Sequence, residues 1–152
     1  MEGKREGGFL LTAAETRFSD FSARGTLHFS KCLMYFEKAR FAVAEAAGIR
    51  EALGRALPGA EIAFVVIRVR LNMREPVALR AKEYDRALRV RTRLEPSAPC
   101  RMTFRQQLED AADGRILTEG TVDVVILVNG EVLRQFPPEV RECLDTYGKM
   151  TA

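Results

Sequence analysis

Tryptophan is absent from this chain, and histidine occurs once, at His28. A metal site built from several histidines of one chain is thereby excluded. Cysteine is scarce as well. Cys32, Cys100 and Cys143 lie far apart, are odd in number and form no CxxC pair. Neither a disulfide framework nor a zinc site is expected. No apolar run approaches the length of a membrane span. The opening residues, MEGKREGG, are polar and carry acids, and no apolar run of the secretory type follows. No leader is expected, and the cytoplasm is the expected location. Dense basic patches with interleaved aromatics are missing too, so no nucleic-acid module is expected.

What is present fits one domain. The chain has 152 residues, 47% of them apolar, enough for a proper core. The expected unit is 1–152, with about 1–8 as a flexible N-terminal segment. Formal charge is +3, from 24 basic and 21 acidic residues. That mild excess suits an anionic ligand such as the phosphates of coenzyme A, but an arginine-rich surface is the preferred explanation.

The pattern opens on a predicted strand over Phe9–Phe18, followed by a loop with Gly25 at a turn. A helix is predicted from Ser30, as N-cap, to Gly48, as C-terminal stop. Cys32, Phe36, Ala39, Val43 and Ala46 fall on one face of it. Leu33, Tyr35, Phe41, Ala42 and Ala47 extend the apolar surface, which predicts a helix buried on most sides. A short helix over about Glu51–Leu57 ends at Pro58-Gly59. Period-two patterns follow over Ile62–Asn72 and Leu88–Leu94, where arginines alternate with apolar residues, so one wet and one dry face are expected. Arg101–Glu109 and Ile116–Val128 read as two more strands, joined by a turn at Asp113-Gly114. Asn129-Gly130 turns into a short strand at Glu131–Leu133, and a terminal helix covers about Glu139–Tyr147. A sheet with one dry face needs a cover, and the long helix is the only segment of adequate size. The expected fold class is α+β: a curved antiparallel sheet of five to six strands wrapped around one long central helix.

The segment Arg17–Arg40, RFSDFSARGTLHFSKCLMYFEKAR, resembles the signature of the 4-hydroxybenzoyl-CoA thioesterase type of hot-dog-fold proteins. The matching positions are Arg17-Phe18, Asp20, Gly25, Leu27, Leu33 and Tyr35-Phe36-Glu37-Lys38-Ala39-Arg40. Two later stretches are similar to the family: Asp85–Leu94, with Leu88, Val90, Thr92 and Leu94, and Leu117–Leu144, with Glu119-Gly120, Asn129-Gly130 and Pro137-Pro138-Glu139-Val140-Arg141. The resemblance implies the hot-dog fold. It also implies pairing into a homodimer or homotetramer with ligand sites at the subunit interface, and thioester hydrolysis as the activity. Coenzyme A would then be part of the substrate, with no separate cofactor, no metal, and no nucleic-acid or membrane partner.

The family's catalytic aspartate falls two residues after Asp20, where this chain has Ser22. The family's Asn-Tyr pair is replaced by Lys31-Cys32. Thioester hydrolysis needs a polarised carbonyl and an activated water. The first can come from backbone N–H groups at a helix start, here Phe29 and its neighbours, whatever their side chains. For the second, three arrangements are open. Asp20 shares a side of an extended segment with Ser22, but also suits a loop ion pair or a turn cap. Glu37 lies on the central helix, where some other hot-dog thioesterases carry their acid, yet Arg40 stands at salt-bridge spacing. Ser22 and His28 would form a nucleophile–base pair if the turn brought them together. Cys32 near the helix start is a candidate reactive thiol, but its place on the apolar stripe favours packing.

The expected catalytic set is therefore Asp20, Ser22, His28, Phe29 and Glu37, acting on an acyl-CoA or acyl-carrier-protein thioester. The alternatives are a non-hydrolytic thioester-binding hot-dog protein and a polyketide-pathway thioesterase.

Overall fold

A computed structural model describes residues 5–74 and 87–151 of the chain. Asp85, which opens the second family-like stretch, and residues 1–4 of the N-terminal segment lie outside the described residues. The elements run β1 (Arg5–Glu6), β2 (Phe9–Ala14), a 3-10 turn (Phe18–Asp20), α1 (Phe29–Ala46), α2 (Ile49–Ala56), β3 (Ile62–Met73), β4 (Leu88–Ala98), β5 (Arg101–Asp110), β6 (Ile116–Val128), β7 (Glu131–Val132) and α3 (Pro138–Thr151).

All pairings are antiparallel, in the order β1-β2-β4-β5-β6-β3, with β7 on β6. Two of the seven strands have only two residues, so the working sheet has five long strands. Arg5 and Glu6 pair with Leu10 and Phe9, so the sheet reaches into the expected flexible segment. The sheet is curved, and α1 packs on the face formed by β2, β4 and β5.

Cys32, Phe36, Ala39 and Val43 are all buried, as their spacing predicts. The fifth stripe residue is different: Ala46 is exposed, and Ala47 turns inward as the helix ends. One cluster joins Cys32, Tyr35 and Phe36 to Leu88, Val90 and Leu108. A second joins Val43 to Met102, Val122 and Ile126, closed by α2 and by Val140 and Leu144 of α3.

Three expectations need correction. The first strand stops at Ala14 rather than Phe18, because the Asp20 carboxylate accepts the Arg17 amide and winds the chain into a 3-10 turn. The cap of α1 is His28, in extended conformation and with no side-chain cap bond, not Ser30. Helix α1 is not buried all round, since Met34 and Phe41 (53% exposed) stand in solvent.

Strand β3 departs most from the expected wet-and-dry alternation. It lies at the sheet end, hydrogen-bonded among the described residues to β6 alone, while α1 packs chiefly on β2, β4 and β5. Val66, Ile67 (54% exposed) and Val69 (44%) are therefore open, alongside Arg68 and Arg70. A register shift between Val66 and Arg68 marks a bulge at Ile67. Opposite Leu71 sits Gly120, where any side chain would collide with the Arg70 carbonyl oxygen.

Candidate functional site

The structure divides the five candidate residues between two places. Asp20, Ser22, His28 and Phe29 gather around the start of α1. Glu37 lies eight residues further on, which is about 12 Å along the helix axis.

Asp20 is only 5% exposed and fully engaged. Its Oδ2 accepts from the Tyr35 hydroxyl at 2.6 Å and from the Arg17 amide at 2.9 Å. Its Oδ1 faces Lys31 Nζ at 3.3 Å. Its backbone carbonyl accepts the His28 amide at 2.9 Å. Burial pushes the carboxyl pKa up, but the Tyr35 hydroxyl, the Arg17 amide and Lys31 outweigh it and hold the pKa below the ordinary 3.8. The same contact works on Tyr35 in the other direction. Burial and the neighbouring Asp20 charge raise its phenol well above the usual range. A carboxylate with so many donors is a poor base: it fastens the 3-10 turn to the first two turns of α1.

Ser22 builds a turn. Its Oγ accepts from the Arg24 and Thr26 amides, both at 3.3 Å, and its own amide donates to the Thr26 carbonyl at 2.8 Å. Phe21 and Leu27 close the same loop through an isolated bridge. Among the described residues, Ser22 makes no hydrogen bond to His28, whose side chain is exposed. Phe29 opens α1 with its side chain exposed. The Lys31 amide is bonded to the His28 carbonyl, while the Phe29 and Ser30 amides have no acceptor within the helix, as at any helix start.

Glu37 stands on the wall of a cleft of about 470 Å³ between α1 and the β3 end of the sheet. Phe41, Ala44, Phe64, Val66, Phe104 and Val124 make it largely apolar. Glu37 forms no ion pair with Arg40 or any other described residue, although the spacing invites one. Arg40 instead turns inward, and its Nη1 donates to Gln106 Oε1 at 3.0 Å. Gln106, 1% exposed, is held in turn by the Phe36 carbonyl (2.8 Å) and Thr92 Oγ1 (3.1 Å). Burial pulls the Arg40 pKa down, and the Glu37 charge partly restores it.

Sequence reasoning missed Arg40 as part of the cleft and Gln106 as its support. A glutamine in an alternating strand carries no sign of which face it takes. Cys32 is fully buried, and burial raises its pKa, as befits a packing thiol. Among the described residues no cluster of His, Cys, Asp and Glu could hold a metal, and no helix is long and apolar enough to cross a membrane.

No protein-family model matches the sequence. No curated protein matches it either. Solved structures do match. A DHNA-CoA thioesterase from Staphylococcus aureus is similar at TM-score 0.74 and 16% identity, covering 93% of this chain and 92% of its own. A thioesterase complexed with coenzyme A and Zn from Thermus thermophilus is similar at TM-score 0.73 and 20% identity, covering 93% and 97%. A probable thioesterase from Bartonella henselae is similar at TM-score 0.70 and 21% identity, covering 85% and 99%. With a curved antiparallel sheet laid around α1 in the manner of these structures, the chain has the hot-dog fold.

Proposed function

We propose that this protein is an acyl-thioester hydrolase acting on an acyl-CoA or acyl-carrier-protein substrate, with Glu37 as general base. The observation that carries this reading is a carboxylate with no ion-pair partner among the described residues, on the wall of a largely apolar cleft, in a fold shared with proteins named thioesterases. Glu37 takes a proton from water as the oxygen adds to the thioester carbonyl. Amides at a helix start hold the oxyanion. The intermediate collapses to the acid and a thiolate, which recovers the proton from Glu37.

Phe29 and Glu37 of one chain are too far apart to meet one carbonyl. The β3 edge, open among the described residues, supplies the remedy. Two copies joined edge to edge about a two-fold axis continue the sheet and set their α1 helices antiparallel. The start of one α1 then approaches the middle of the other. Such a pair also covers Ile67 and Val69 and removes a long unpaired edge. The working form is thus a dimer or a larger even assembly.

A second reading rests on Ser22. The turn uses its hydroxyl at the position where the resembling family has its catalytic acid, which suits a protein that binds thioesters without hydrolysing them. Thiol release across short, medium, long and aromatic acyl-CoAs separates the two. Turnover that falls about 10²-fold or more in Glu37→Gln supports the hydrolase. Saturable acyl-CoA binding without turnover supports the binding protein.

A further inference from the structure

Arg40 is a charge without an ion-pair partner among the described residues. Its side chain is half-buried on the wall of a largely apolar cleft. No carboxylate lies within ion-pair distance among the described residues, and the one hydrogen-bond partner is a neutral amide oxygen. Charges withdrawn from water are ordinarily paired, and the nearby Glu37 charge compensates Arg40 only in part. A guanidinium carries five N–H donors in a rigid fork. Gln106 occupies one Nη1 donor and is itself fixed by Thr92 and the Phe36 carbonyl. The remaining donors are thereby pre-oriented. Glu45, Arg50 and Glu51 also line this cleft and, like Glu37, are exposed, so Arg40 is the half-buried charge among the five.

We propose that Arg40 is a specificity-determining residue that receives a carboxylate at the far end of the acyl group, so that the preferred substrates are short ω-carboxyacyl thioesters. The inference rests on the hydrolase reading and assigns its substrate class. Glu37 and Arg40 are one helical turn apart on the same cleft, about 5–6 Å between Cβ atoms. A thioester carbonyl beside Glu37 places the end of a five- or six-carbon diacid beside Arg40. The apolar residues Phe41, Phe64 and Phe104 line the cleft that takes the methylenes between. A fork–carboxylate contact is the geometry at which arginine excels over lysine.

The test compares kcat/KM for glutaryl-CoA with pentanoyl-CoA, and for adipyl-CoA with hexanoyl-CoA. Binding of free glutarate and free pentanoate is measured alongside by calorimetry. Wild type is expected to favour the ω-carboxy member of each pair by about tenfold or more, as a charge-assisted hydrogen bond implies, and to bind glutarate but not pentanoate. Arg40→Met should abolish both preferences. Arg40→Lys keeps the charge and stem, and so guards against a folding defect; it should lower them. Hydrolysis with equal preference in all three proteins, and no glutarate binding, overturns the subsite. Arg40 would then be a strut for Gln106. Glutarate binding that depends on Arg40, with no hydrolysis of any thioester, upholds the subsite and removes the hydrolase reading instead.

Discussion

Removing the Asp20 carboxylate should unlatch the start of α1, and the cost follows from its contacts. In Asp20→Ala the Tyr35 hydroxyl, buried with its ring, loses its acceptor, and the Arg17 amide and Lys31 lose theirs. A hydrogen bond to a charged group contributes about 1.5–3 kcal/mol. The half-exposed Lys31 pairing adds at most about 1 kcal/mol. The expected loss is about 3–5 kcal/mol by urea unfolding, against about 1.5–3 kcal/mol for Tyr35→Phe. Because the two side chains share one bond, the double variant should be less destabilised than the sum of the singles. Acid gives an independent reading. The folded pKa of Asp20 is depressed, so its stabilisation is fully present above about 3.8 and is lost as pH falls through the lower folded value. Asp20→Asn should therefore flatten the acid limb of the stability curve. A loss below about 1 kcal/mol in Asp20→Ala, additive singles and an unchanged acid limb would together refute the latch.

Two further outcomes follow from the sheet. Gly120→Ala drives a methyl into the Arg70 carbonyl, so we expect about 2–3 kcal/mol of destabilisation, read as a drop in Tm of roughly 5–10 °C; an unchanged Tm would mean that β3 yields freely. Ile67→Lys puts a charge on the open β3 edge. Sedimentation should show monomer for this variant against a dimer or larger assembly for wild type, and an unshifted assembly would place the interface elsewhere.

The sequence carried the helix stripe and most turns plainly, because these depend on neighbours in the chain. Cys32, Phe36, Ala39 and Val43 lie at helical spacing and are all buried. Asn129 and Gly130 both adopt positive φ, as a tight hairpin turn requires. Topology was not legible. Five alternating strands can be ordered in several ways, and nothing in VVIRVRL shows that it takes the end of the sheet. The site was half legible. Glu37 lies on α1 and Phe29 at its start, as the helical spacing predicts, but the engagement of Asp20 needs Tyr35, fifteen residues away, and Lys31 to be folded against it. The inward turn of Arg40 depends on Gln106, sixty-six residues distant. Contacts of that range leave no local pattern.

The place of β3 bears on how the chain is made. During synthesis this valine-rich strand leaves the ribosome well before β6, its one neighbour among the described residues of the sheet: Ile62 must find Val128, and Met73 must find Thr118. Until then a long stretch of β-forming backbone waits with both edges bare. Such non-local closure slows folding and exposes the nascent chain to association with its own copies. Arg68 and Arg70, interleaved among the apolar residues, act there as charged gatekeepers that discourage premature pairing.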